Sequence, residues 1–208
     1  MNDNENDHPK KSALIFFKEL EDLVPINQQV MLDWSADYQE KIYFAEQDLG
    51  PEVHWFFTQA LQALKTELYL PACTSFLNGI EASLRITMSQ LDNPVRVVEL
   101  DPLKTLSNRL LKSALDMGLP VETLAFPEED NFIERLESKR PYQICTEVVR
   151  VRHNLCHGNI LEYINTDLGQ DYAFFTPECC KELAHLLYKL SKEWTKQLGS
   201  FRRERLNT

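Results

Sequence analysis

Leu77-Asn78-Gly79-Ile80-Glu81-Ala82-Ser83-Leu84-Arg85-Ile86-Thr87-Met88-Ser89-Gln90-Leu91 is the most regular run of the chain. Leu77, Ile80, Leu84, Met88 and Leu91 recur at intervals of three and four, which lays one apolar face along a helix. Glu81 and Arg85 stand one turn apart, where a carboxylate and a guanidinium meet. Pairing within the helix is their default role, and lining a cleft is the alternative.

The same periodicity extends outward. On the N-terminal side, Pro51 after Gly50 reads as the first position of a helix carrying Phe56, Phe57, Leu61 and Leu64. Further helical patterns cover Ser12–Val24 and Ala36–Gln47. On the C-terminal side, Asp101 reads as an N-cap and Pro102 as a first-turn residue. Leu103, Leu106, Leu110 and Met117 continue that helix until Gly118 and Pro120 stop it. The acidic Pro127–Asp130 reads as a loop. Pro141 opens the next helix, with the stripe Ile144, Val148, Val151 and Leu155, and Gly158 ends it. Ile160–Ile164 and Tyr172–Phe175 flank the turn-like Asp167-Leu168-Gly169-Gln170, which fits either a short β-hairpin or an extended loop. Thr176, Pro177 and Glu178 open a last helix carrying Leu183, Leu187, Leu190 and Trp194, with the basic end Phe201-Arg202-Arg203-Glu204-Arg205. The whole predicts an all-α bundle with short connections. Residues 1–11 read as a disordered acidic tail, 12–50 as a helical extension and 51–206 as the main helical domain.

Composition bounds the function. The 208 residues suffice for a core without disulfides, and 43% hydrophobic with 26% charged residues is ordinary for a soluble globular chain. No stretch has the apolar length to span a bilayer, and the polar N-terminus is not a signal peptide, so a cytoplasmic location is expected. Five cysteines without a C-x-x-C pair point to reduced, buried thiols. A net charge of −10 opposes general affinity for nucleic acid. Residues 139–208 nevertheless carry 11 basic against 8 acidic side chains, which suits a local phosphate site on a repelling body.

That basic third contains Val151-Arg152-His153-Asn154-Leu155-Cys156-His157-Gly158. Arginine can hold a phosphate and histidine can move a proton near neutral pH. On a straight helix Arg152 and His157 lie about 140° apart, and Asn154 and His157 about 60° apart. Asn154 can thus orient the imidazole. The break at Gly158, or a second copy across a two-fold axis, can bring Arg152 and His157 to one cleft. The structural alternative is a helix stop at His157 and Gly158 with Arg152 in a salt bridge.

Arg152-His153-Asn154-Leu155-Cys156-His157-Gly158, near the end of the penultimate long helix, resembles the R-x4-6-H signature of HEPN domains. The resemblance covers the motif and the helical layout of about residues 50–200. It implies a HEPN-like helical bundle, usually dimeric, and a metal-independent endoribonuclease of the toxin–antitoxin or phage-defence kind. The catalytic residues it implies are Arg152 and His157 with Asn154 in support. His153, Glu81 and Arg85 are supporting or cleft-lining candidates. RNA is then the substrate, a second copy of the chain the partner, and an antitoxin or regulatory protein a further partner.

Other chemistry is poorly supported. His153 and His157 have zinc-binding spacing, but no H-E-x-x-H is present and further ligands would have to come from Cys179, Cys180 or His185. No metal and no cofactor is expected. Trp55, Phe56 and Phe57 read as core. P-loop, dinucleotide-binding and serine-hydrolase motifs are missing. The competing functional class is a non-catalytic helical module that binds a nucleotide or a protein. It predicts Arg152 paired with a local carboxylate rather than facing a cleft.

Overall fold

The computed structural model describes residues 38–206 apart from 140 and 168. The chain divides into two compact units, Met1–Glu40 and Lys41–Thr208. The acidic tail, the Ser12–Val24 helix and the start of the 36–47 segment lie outside the described residues.

The second unit is all-α. Its helices are α1 (His54–Lys65), α2 (Tyr69–Asp92), α3 (Asn108–Asp116), α4 (Phe132–Glu137), α5 (Glu147–Cys156) and α6 (Lys181–Leu206), linked by 3-10 turns. Among the described residues no strand forms. The two segments around Asp167 meet at a single antiparallel bridge, Asn165 with Phe174, so the link from α5 to α6 is an extended loop rather than a hairpin.

Several boundaries differ from the periodicity reading. Pro51 sits in a turn and α1 begins at His54. The Asp101 carboxylate accepts from Leu103 N–H in a local turn, and α3 starts only at Asn108, capped by the Ser107 hydroxyl on Leu110 N–H. Pro141 lies in a turn, α5 starts at Glu147, and Ile144 is exposed outside the stripe. The short α4 was not anticipated. The last helix is preceded by a 3-10 turn, Pro177–Cys180.

Three helices stop in the same way. After α1, α3 and α5 the chain enters the left-handed region at Glu67, Gly118 and Gly158. At α5 the Asn159 and Gly158 N–H groups bond back to the Asn154 and Leu155 carbonyls. This six-to-one and five-to-two pattern satisfies carbonyls that the helix leaves orphaned. It turns the chain directly after His157.

The core lies between α1, α2 and α6. Gly79 of α2 admits the Phe57 ring so closely that a Cβ would lie 2.8 Å from it. Phe57 stacks on Phe44 at 5.1 Å, so residues just before Pro51 belong to this core. On α6, Trp194 is fully buried and donates to Ser83 at 2.9 Å. The basic end of α6 is partly interior. Arg202 is buried and donates to the Asp48 carbonyl, Thr87 and Gln90, while Arg203 pairs with Asp48. Gly199 faces the Gln47 carbonyl, where a Cβ would stand 2.3 Å from the oxygen. Gly199→Ala is therefore expected to cost about 1–3 kcal/mol, read as a lower midpoint in chemical denaturation. An unchanged midpoint would contradict this packing.

Candidate functional site

The motif helix α5 is fixed at its N-terminus by buried polar groups. Asn108 is buried and joins three segments. Its amide donates to the Arg135 and Ile144 carbonyls, and its oxygen accepts from Thr146 N–H and hydroxyl. Glu129, from the acidic loop, is buried and accepts from Glu147 N–H at 2.8 Å. A carboxylate at this end also suits the helix dipole. Arg135 bridges Glu129 and Glu147, at 3.4 and 2.5 Å. Arg150 carries the chain of ion pairs on to Glu147 and Glu162. Burial raises the Glu147 carboxyl pKa, but hydrogen bonds and charge from Arg150 and Arg135 outweigh it and hold the group below its ordinary range.

Along its inner face α5 buries Val148, Val149, Val151 and Leu155. Arg152 points from the same side of the helix toward α2. Its Nε donates to Glu81 Oε2 at 3.1 Å, and Arg85 Nη1 donates to Glu81 Oε1 at 3.3 Å. The side chains of Arg152 and Glu81 are only 13% and 10% exposed. One carboxylate thus serves two guanidiniums inside the α2–α5 contact. Arg85 also donates to the Asp101 carbonyl. The Glu81–Arg85 spacing was legible in the sequence, whereas the bond to Arg152 spans 71 residues and was not.

His153 and His157 are exposed, and their rings meet edge to face with centroids 5.4 Å apart. His157 is the C-cap of α5. Partial desolvation, then the charges of Arg152 and His157, hold the His153 pKa below the ordinary imidazole value. Arg152, His153 and His157 therefore form one electrostatic neighbourhood at the end of α5. Asn154 is turned elsewhere. Its amide donates to Glu162 and its oxygen accepts from Asn159 at 3.1 Å. A charged acceptor on the following turn takes the side chain that the helical wheel places near His157.

The sign of the His153 shift has a measurable consequence. Its folded pKa lies below the unfolded value of about 6.5. Between those two values only the unfolded imidazole takes up a proton, so the contribution is complete above about 6.5 and is lost as pH falls through the folded pKa. Melting temperatures between pH 8 and 5 should fall further for the parent than for His153→Gln. Because the ring is exposed, the difference should be modest, and a steeper acid loss in the variant would contradict the assignment.

The surroundings supply further chemistry. A cavity of about 360 Å³ opens between α1, α2 and the segment before α3, with Glu81 and Arg85 in its lining. Trp55 and Phe56, expected in the core, are exposed, while Phe57 is buried. All five cysteines are free. Cys73 and Cys180 are buried, Cys145 and Cys179 half-buried, and Cys156 exposed, which departs from the expectation of uniformly buried thiols. Burial pushes the Cys73 and Cys180 thiols up. Among the described residues no group of three or more His, Cys, Asp or Glu side chains converges as a metal-binding set, and no helix is long and apolar enough to cross a membrane. No family model, curated protein or solved structure significantly matches this chain.

Proposed function

We propose that this chain is a metal-independent endoribonuclease whose centre is the C-terminal end of α5. The observation that carries the reading is the edge-to-face His153–His157 imidazole pair, whose His153 ring feels the charge of Arg152. Cleavage through the ribose 2′-hydroxyl needs a base for the attacking oxygen and an acid for the leaving one. His153, whose neutral form its surroundings favour, takes the 2′-hydroxyl proton as O2′ attacks phosphorus. His157 protonates O5′ as the P–O5′ bond breaks. The Arg152 charge, held at the site by Glu81, stabilises the phosphorane oxygens. Dependence on the 2′-hydroxyl restricts the substrate to RNA.

A homodimer completes the proposal. Leu161, Tyr172 and Phe174, in the loop that follows the motif, are exposed apolar side chains. A two-fold contact there would set two histidine pairs around one cleft, over an ordinary interface of about 1,600 Å². A toxin–antitoxin or phage-defence role, with an antitoxin or regulatory partner, is the setting that the HEPN resemblance suggests.

A second reading has its own observation. Arg152 is paired with a nearly buried carboxylate, which is what a non-catalytic module that binds a nucleotide or protein would show. Incubation of the purified chain with single-stranded RNA in excess EDTA separates the two. Cleavage that persists in the chelator is the expected result, because both proton transfers are assigned to imidazoles. Intact RNA would favour the binding module.

A further inference from the structure

The cavity of about 360 Å³ lies at the back of the Glu81 carboxylate, on the α1 side of α2. It is at the small end of ligand-pocket sizes, which run from about 300 to 1,000 Å³. Val53, Ala82, Ile86 and Leu100 give it apolar walls, and Phe56 adds an exposed aromatic ring. Two polar groups interrupt those walls. Asn78 is exposed, and its amide has no hydrogen-bond partner among the described residues. Glu81 is nearly buried, with its oxygens already receiving Arg85 and Arg152. Each carboxylate oxygen keeps a further lone pair for an N–H donor.

The charge pattern selects against an anion. Glu52 also lines the cavity, and its carboxylate pairs with Arg96. The one guanidinium in the lining, Arg85, is already engaged by Glu81 and the Asp101 carbonyl. A phosphate would meet two carboxylates and no free cation in this lining. A purely apolar group would bury the Asn78 amide without a partner, which is costly. What fits both the walls and the polar edge is a flat, uncharged ring with N–H donors and an acceptor on its rim.

We infer that this cavity is a nucleobase subsite, with the base ring against Phe56 and its polar edge on Asn78 and Glu81. The inference rests on the endoribonuclease reading, because it takes the base from the RNA whose phosphate lies at Arg152. Glu81 joins the two places physically, with one face toward the cavity and one oxygen on Arg152. Base recognition at this subsite would select which phosphodiester is cut, since the sugar–phosphate chain ties the seated base to the reacting phosphate.

The test uses the full chain with His157→Ala, so that RNA is bound and not cut. Two labelled probes are titrated by fluorescence anisotropy: a single-stranded RNA heptamer and an abasic ribose-phosphate heptamer. Adding Phe56→Ala or Asn78→Ala should each weaken binding of the RNA heptamer by about tenfold, the scale of a lost base contact, and leave the abasic probe unchanged. Both side chains reach solvent, so the fold should tolerate their removal. Unchanged affinity for both probes, equal losses on both, or no binding of the RNA heptamer at all would overturn the subsite. A cavity that serves a protein partner would give the first of these results. If the parent chain does not cleave RNA yet the base-specific losses appear, the nuclease reading falls and the subsite stands. If RNA is cleaved and both variants bind like the His157→Ala parent, the subsite falls alone.

Discussion

Alanine at His157 should slow RNA cleavage by roughly 10²–10⁴-fold, the usual contribution of a proton-transfer group. The melting temperature should stay within a degree or so of the parent, since the side chain is exposed at the end of α5 and surface changes of this kind cost little. Single-turnover rates together with thermal melts check both parts. Arg152 offers no such clean test. It follows Val148 by one turn on the inner side of α5 and bonds to Glu81, so under the proposed mechanism Arg152→Ala would mix a lost phosphate contact with a broken buried pair. The bond to Glu81 gives Arg152 a structural load that the Ile144, Val148, Val151 and Leu155 spacing does not include. A His157→Ala variant that cleaves RNA at the parent's rate would remove His157 from the proposed chemistry.

Replacement of Glu81 by alanine should destabilise the fold strongly. It leaves Arg85 and Arg152, 14% and 13% exposed, without their shared carboxylate. Removing one partner from a buried pair costs about 3–5 kcal/mol. At about 2–4 °C per kcal/mol for a domain of this size, the melting temperature should drop by roughly 10 °C. The exposed Glu52–Arg96 pair is the control, since Glu52→Ala should cost less than about 1 kcal/mol. Equal melting temperatures for the two variants would mean that the Glu81 cluster does not stabilise the α2–α5 contact.

The parts of this fold that were legible in the sequence are those set by local signals. The three- and four-residue spacing from Leu77 to Leu91 reads directly as α2, and Leu187, Leu190 and Trp194 as α6. Gly118 and Gly158 mark helix ends because the left-handed turn there favours glycine. Glu67 makes the same turn without that marker, so the end of α1 had no comparable signal. Where boundaries moved, a competing local structure won: the Asp101 turn in place of an N-cap, and the Pro141 turn in place of a helix start.

The site was legible as a list of residues and not as an arrangement. Spacing brings Glu81 to Arg85, and His153 to His157 across one helical turn. Nothing local tells that Arg152 reaches Glu81, or that Asn154 turns to Glu162. The cap that Glu129 provides to α5 is equally long in range, and an acidic loop gives no hint that one of its carboxylates is buried. Such contacts follow from how helices pack, which periodicity alone does not encode.

The chemistry of the cut ends separates catalysis by the α5 imidazoles from 2′-hydroxyl-independent routes, metal-dependent ones included. An RNA oligonucleotide and its counterpart with a single 2′-deoxy substitution would be incubated with the full chain, and the fragments weighed by mass spectrometry. Base and acid catalysis by the α5 histidines predicts fragments ending in 2′,3′-cyclic phosphate and 5′-hydroxyl, with cleavage lost at the 2′-deoxy position. Fragments with 5′-phosphate and 3′-hydroxyl ends, or cleavage that ignores the missing hydroxyl, would contradict it.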